Sequence, residues 1–279
     1  MKKLIADSGS TKTTWVLTGQ GKSDQTFKTS GLNPYFHTQA SVEEVLQTTL
    51  VPSLPVHEIG EIHFYGAGCS TEENEEMIRQ ALRKFFKNAE ISVYHDILGA
   101  ARALFGHGKG IAAILGTGCN SCYFDGENCY QEVDSLGYLF GDEGAGSYLG
   151  KQWMSAYLKK EAPLELMDQF KQQYGFSLSD ILNSLYNRSY PNRYLASFSE
   201  FLLPRKEHPF IKTLIVSSFE AFNSAQLQHY SHYQPVPVAF VGSIAWFYQD
   251  ILKEVMESYG YSVGVVYREP VEGLVMYHL

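Results

Sequence analysis

No apolar run in this 279-residue sequence approaches the roughly 18 residues needed to cross a bilayer. After Met1-Lys2-Lys3 only Leu4-Ile5-Ala6 precede Asp7, far too short a stretch for a secretory signal. Cysteine is scarce, with four residues, which fits a reducing compartment. A cytoplasmic protein is expected. Positive charge is in deficit: 22 Lys and Arg against 30 Asp and Glu give a net charge of −8. That balance argues against nucleic acid or an anionic membrane as the main partner. Neither a GxxxxGK[ST] phosphate loop nor a GxGxxG at a strand–helix junction is present, which disfavours Walker-type ATPases and dinucleotide dehydrogenases. No low-complexity segment or linker stands out.

What is present is ordinary globular composition, 44% hydrophobic and 19% charged, in a chain long enough for a substantial core. Apolar residues run twice into a small polar turn, first in Leu4-Ile5-Ala6-Asp7-Ser8-Gly9-Ser10-Thr11-Lys12-Thr13-Thr14 and again in Ile111-Ala112-Ala113-Ile114-Leu115-Gly116-Thr117-Gly118-Cys119-Asn120-Ser121. A β-rich segment follows each turn, so each half opens with a hairpin and the two halves suggest a duplication. Apolar spacing predicts an amphipathic helix over Glu72 to Lys87, a strand over Ile91 to Tyr94 and a helix over Ile97 to Phe105. Residues 165–230 read as nearly all helix, with Ser179-Asp180 as one cap. Strands at Val236 to Val241 and Val263 to Val266 flank a helix that runs to about Ser258. Strands alternating with helices make the fold class α/β.

Three turns could meet a nucleotide. In the first, Gly9 allows close backbone approach, Ser10, Thr11 and Thr13 carry hydroxyls, and Lys12 carries charge. Asp7 stands just before it, suited to hold Mg²⁺ through water. A plain hairpin turn would use the same residues. The second, Gly116-Thr117-Gly118, suits phosphate or sugar contact, or a tight turn alone. The third, Gly242-Ser243 after a buried strand, offers a surface for a flat ring or is simply a βα turn. Asp96 can cap the helix after it, act as general base toward a substrate hydroxyl, or do both. Gly137 to Gly146 packs four glycines around Asp142-Glu143, and paired carboxylates suit sugar hydroxyls or a hydrated metal. Cys119, Cys122 and Cys129 form a C-x₂-C-x₆-C run, with Cys69 apart; incidental thiols fit better than a cluster or zinc site. His229 and His232, and the Asn187-Arg188-Ser189 sequon, add little.

Together these motifs resemble the actin, heat-shock chaperone and sugar kinase superfamily. More narrowly, the chain resembles the N-acetylglucosamine kinase branch of the family that also holds the ATPase activators of 2-hydroxyacyl-CoA dehydratases. The segments from Asp7 to Thr13, Asp96 before its helix, Gly116 to Ser121, Gly137 to Gly144 and Val241-Gly242-Ser243 carry the resemblance, the Gly137 to Gly144 segment most specifically. It implies two ribonuclease-H-like domains, over residues 1–105 and 106–279, with a nucleotide-binding cleft between them. It implies ATP and Mg²⁺, the ion near Asp7. Gly9, Ser10, Thr11, Lys12 and Thr13 would line one phosphate loop, and Gly116, Thr117 and Gly118 the other, Thr117 lying near the γ-phosphate. Gly242 and Ser243 would lie under adenine. Asp96 would be the catalytic base, and Asn33, Thr117, Asn120, Gly137 and Asp142 would meet the sugar. The implied activity is phosphorylation of an amino sugar, with N-acetylglucosamine at its 6-hydroxyl foremost. The partner is then a small sugar, with no nucleic acid and no membrane, and a homodimer is the family's expected assembly. The alternatives are an activator-type ATPase and a non-catalytic sugar sensor.

Overall fold

The computed structural model describes residues 2–19 and 24–279. The chain divides into two compact units, the first built from residues 1–108, 124–129 and 269–279, the second from 109–123 and 130–268.

The sheet of the first unit holds β1 (Lys2–Ser8), β2 (Lys12–Thr18), β3 (Gln25–Ser30), β4 (Ile59–Gly66) and β5 (Glu90–His95) in the order β3-β2-β1-β4-β5. β1 to β3 form an antiparallel meander, and β4 and β5 add in parallel. Leu4, Ile5 and Ala6 are all fully buried, the run expected of a strand covered on both faces. The second sheet holds β6 (Gly110–Leu115), β7 (Cys119–Phe124), β8 (Cys129–Tyr130), β9 (Val238–Val241) and β10 (Val263–Tyr267), in the order β10-β9-β6-β7-β8. β9 is parallel to both β6 and β10. Read from β8, that order repeats the first sheet strand for strand, so both units are ribonuclease-H-like.

Crossover helices explain themselves locally. The Glu72–Arg83 helix starts where the Thr71 hydroxyl accepts from the Asn74 amide at 3.3 Å. Glu72, Glu73 and Glu75 sit at its positive end and Arg83 at its negative end. It stops four residues before the expected Lys87, where the chain turns to bury Phe86. The expected cap at Ser179-Asp180 is corrected: Ser177 is the cap, its hydroxyl accepting from the Asp180 amide while Asp180 accepts from the Ser177 amide at 2.9 Å. The helix after β9 is broken at Tyr248 into Ser243–Phe247 and Gln249–Ser258.

Residues 137–233 form a largely helical insertion between β8 and β9. Its helix Pro191–Ser197 lies directly on Gly146–Leu158: a Cβ built on Gly150 would stand 1.8 Å from the Leu195 carbonyl oxygen. The division at residues 105/106 is corrected at the C-terminus. Residues 269–279 return to the first unit, where Val271–His278 packs on Asp96–Phe105 and Gly273 leaves no room for a Cβ beside the Ala103 carbonyl. No helix among the described residues is long and apolar enough to cross a membrane.

Gly150→Ala is expected to force these two helices apart and to cost about 2–4 kcal/mol, the range of severe overpacking. A melting-temperature loss of several degrees checks this; an unchanged melting temperature would contradict the close contact.

Candidate active site

In the first unit the parallel strands β1, β4 and β5 end on one sheet edge, the edge where open α/β sheets place ligands. Asp7 and Ser8 end β1, Gly66 ends β4, and His95 ends β5 with Asp96 immediately after. The Ala67 amide bonds the Ser8 carbonyl at 2.8 Å and draws the Gly66-Ala67-Gly68 bend to the end of β1.

The turn after β1 is clamped from outside. A Cβ on Gly31 would fall 2.3 Å from the Gly9 carbonyl oxygen. Three bonds form a closed chain beside it. The Leu32 amide donates to the Ser8 hydroxyl at 3.0 Å, Ser8 and Thr13 hydroxyls meet at 2.8 Å, and Thr13 donates to the Ser30 carbonyl at 3.0 Å. Each hydroxyl thereby donates once and accepts once. Thr13, expected at a phosphate, is fully buried and corrected to this internal role. Lys12 also differs from expectation, since it pairs with Glu269, which accepts in addition from the Thr14 hydroxyl at 3.2 Å. Burial opposes ionisation of Glu269, yet the Lys12 hydrogen bond and charge hold its carboxyl below the usual range. Gly9 and Ser10 are half-buried and Thr11 is exposed, and neither the Ser10 nor the Thr11 hydroxyl has a partner among the described residues.

Asp7 carries no side-chain hydrogen bond among the described residues. Its pKa is pushed up to about 7, by burial first and then by the charges of Asp96 and Glu269, with Lys12 opposing. A buried carboxylate beside two others is a favourable place for a cation. Among the described residues no cluster of three or more His, Cys, Asp or Glu could cage one. A buried carboxylate with no side-chain partner among the described residues fits Mg²⁺, which keeps several waters and takes one or two carboxylates.

Asp96 is the first residue of its helix, not the cap. The cap position is His95, whose backbone is extended and whose side chain makes no capping bond. Asp96 is half-buried, with His95 Nε2 at 3.0 Å from its Oδ1. Asn33 is buried; its Oδ1 accepts from the Tyr35 amide at 2.9 Å, and its amide nitrogen has no partner among the described residues. Gly68, with φ +83°, lies against Asn33, so a Cβ there would stand 2.4 Å from Oδ1.

In the second unit the Gly116-Thr117-Gly118 turn joins β6 to β7. The Gly146 and Ser147 amides bond the Gly116 and Thr117 carbonyls at 2.9 and 3.0 Å. Asp142, with φ +61°, is buried; Oδ1 accepts from the Cys119 amide at 3.0 Å and Oδ2 from the Ser147 hydroxyl at 3.1 Å. Burial raises its pKa, partly offset by these two bonds. Asp142, expected at the sugar, braces this turn with one bond to each carboxylate oxygen. Asn120 Oδ1 accepts from the Ser121 amide at 2.9 Å and from Gln131 at 2.8 Å, while its amide nitrogen has no partner among the described residues. Thr117 is half-buried, its hydroxyl equally unengaged among them. Gly137 adopts φ +67° with open space where a Cβ would project. Gly242 has φ +128°, and a Cβ there would fall 2.3 Å from the Leu115 carbonyl oxygen; Ser243 beside it is exposed. Cys69, Cys119 and Cys122 are buried and Cys129 half-buried. Burial and the nearby Asp96 and Glu75 push the Cys69 thiol up to about 12. Sequence reading missed Ser8, Gly31, Gly68, Ser147 and Glu269; only Gly31 and Gly68 carried a local signal, as glycines just after strands.

Two ribonuclease-H-like units, each with a glycine-rich turn after its first strand, define the actin, heat-shock chaperone and sugar kinase superfamily. Solved structures agree. A candidate N-acetylglucosamine kinase from Porphyromonas gingivalis is 40% identical over 99% of this chain and 98% of that one, with a TM-score of 0.94. The chain therefore belongs to the N-acetylglucosamine kinase-like family. Two further structures share the fold: a candidate N-acetylglucosamine kinase from Chromobacterium violaceum (16% identity, 100% and 99% coverage, TM-score 0.73) and a ROK family glucokinase from Streptomyces griseus in complex with glucose and AMPPNP (13%, 98% and 98%, 0.61). No protein-family model and no curated protein matches the chain.

Asp7 yields a pH prediction. Its carboxyl titrates near 7 when folded and near 3.8 unfolded, so the folded state holds the extra proton between those values. Stability from this group is therefore present below pH 4, falls as pH rises toward 7, and then levels off. Asp7→Asn is expected to match wild type near pH 4 and to exceed it by about 1–4 kcal/mol at pH 8 without Mg²⁺. Parallel stability curves for the two proteins would contradict this. Gly242→Ala, strained in both φ and space, should lower the melting temperature by several degrees; an unchanged thermal melt would contradict this.

Proposed function

We propose that the chain is an ATP-dependent sugar kinase, acting on an amino sugar and foremost on N-acetylglucosamine at its 6-hydroxyl. The carrying observation is Asp96, a half-buried carboxylate just beyond β5, on the same sheet edge as Asp7 and near the loop that holds Asn33. Phosphoryl transfer asks for in-line positioning and charge neutralisation more than for covalent chemistry. In this reading Asp96 removes the proton from the sugar hydroxyl as its oxygen attacks the γ-phosphorus; the phosphoryl group passes to the sugar and ADP leaves. Asn33 and Asn120 offer their amide nitrogens to the sugar, and the Thr117 and Gly118 amides and the Thr117 hydroxyl face phosphate, while the Gly116 amide closes the turn on the Gly118 carbonyl at 3.0 Å. Ser10 and Thr11 do the same in the first unit, where Gly9 allows close backbone approach while its amide bonds the Lys12 carbonyl at 3.0 Å, and Gly242 leaves a flat backbone surface for adenine. Asp7 would hold Mg²⁺ through water, an ion that neutralises charge on the phosphates when bound. The Porphyromonas relative and the glucokinase bound to glucose and AMPPNP support both the acceptor class and ATP as donor. A cytoplasmic homodimer goes with this reading.

ADP release with Mg²⁺-ATP across a sugar panel tests it. N-acetylglucosamine should give the highest turnover, and Asp96→Asn should lower it by about 10²–10⁴-fold, the usual worth of a general base. ATP hydrolysis indifferent to every sugar would overturn the kinase reading in favour of an activator-type ATPase. Sugar-dependent thermal stabilisation with no turnover would instead favour a sensor.

A further inference from the structure

His95 occupies a position that normally belongs to Ser, Thr, Asp or Asn, the cap of the Asp96–Phe105 helix. Its backbone has the extended cap geometry, φ −66° and ψ 146°, yet its side chain caps nothing. The ring instead meets the next residue, Nε2 lying 3.0 Å from Asp96 Oδ1. That oxygen is buried and has no well-angled hydrogen bond among the described residues, so the ring nitrogen is its near polar neighbour by proximity. Both side chains are about a fifth exposed, 23% and 20%, so the pair is partly screened from water.

The surroundings give the ring a reason to be there. Glu75 lies within its field; burial raises the Glu75 carboxyl, Arg79 and His95 draw it down, and Glu72 raises it. Asp96 in turn lies close enough to raise the Cys69 thiol and the Asp7 carboxyl. His95 thus stands beside acids from two elements. The backbone on both sides of the pair is fixed: His95 is paired with Gly66 on β4, and Asp96 is locked into the first helical turn.

We propose that His95 is a positioning residue, holding one oxygen of Asp96 so that the other is presented to the acceptor hydroxyl. This rests on the kinase reading of the same site. A carboxylate at a helix N-terminus is otherwise drawn back toward the free amides of the first turn, which would turn it from the acceptor. The Nε2 contact at 3.0 Å opposes that swing. His95 does not itself take the substrate proton, which passes from the hydroxyl to Asp96.

Two variants separate positioning from packing. His95→Phe keeps the ring and loses the nitrogen; His95→Gln places an amide nitrogen near the lost Nε2. His95→Phe is expected to lower kcat on the best sugar about 10–100-fold while KM for ATP stays within about twofold, and His95→Gln to restore most of kcat. Melting temperatures of the two should agree, and His95→Ala replaces the ring variant if that one does not fold. Wild-type kcat in His95→Phe, or equal loss in both variants, would overturn the proposal. Crystal structures of wild type and His95→Phe supply a readout free of turnover. An Asp96 carboxylate that keeps its place without the imidazole overturns the positioning role, and one that swings toward the helix supports it. A wild-type protein that turns over no sugar sinks the kinase reading separately, and the structures still decide the role of His95.

Discussion

Backbone pressed on backbone is the constraint on which both candidate turns depend. Gly31 against Gly9 and Gly242 against Leu115 each leave only 2.3 Å where a Cβ would meet a carbonyl oxygen. No side chain fits at either place. The two contacts lie in different units and arise from different connections, a strand end at residue 31 and a strand-to-helix turn at 242. They do the same physical work, because a short glycine-rich turn loses much conformational entropy on ordering and stays ordered only when its neighbours over-determine it. Polar side chains complete each clamp: Ser8 and Thr13 on one turn, Asp142 and Ser147 on the other.

This division of labour changes how the polar residues of such turns are read. Thr13 and Asp142 look like ligand contacts by type and spacing, yet their hydrogen-bonding atoms are engaged inside their own units. Lys12 is held by Glu269. The groups left unengaged among the described residues are the Ser10, Thr11 and Thr117 hydroxyls and the amide nitrogens of Asn33 and Asn120. Those two asparagines follow one pattern: Oδ1 is tied to a neighbouring backbone amide and the nitrogen is left over. An amide whose oxygen is anchored is a fixed donor, which suits a sugar hydroxyl or an acetyl carbonyl and needs little reorganisation on binding.

What was legible in the sequence is what short-range physics decides. Leu4-Ile5-Ala6 and Ile111 to Leu115 are wholly apolar because their strands are covered on both faces, and the turn chemistry follows at once. The helix from Glu72 announced itself through periodicity and its acidic first turn. The failures are of two kinds. Ser177 and His95 are local misreadings by one or two residues, where several residues could cap and only the backbone angle decides. The return of residues 269–279 to the first unit is different, because Glu269 meets Lys12 across 257 positions and no local pattern encodes that contact.

The helical insertion shows why the least readable region still bears on the site. The first unit has only short helices between β3 and β4, whereas the second has residues 137–233 between β8 and β9. That segment is not appended loosely. Gly150 admits the Leu195 carbonyl, and Gly146 lies against Ala196 on one side and the Gly116 carbonyl on the other. One helix, Gly146–Leu158, therefore touches the turn at its first residue and the insertion along its length. A change in how the Pro191–Ser197 helix packs has a rigid path of two glycine contacts to Gly116, with little compliant side-chain matter between. A family that varied this insertion would alter the setting of the Gly116 turn without touching the turn's own sequence.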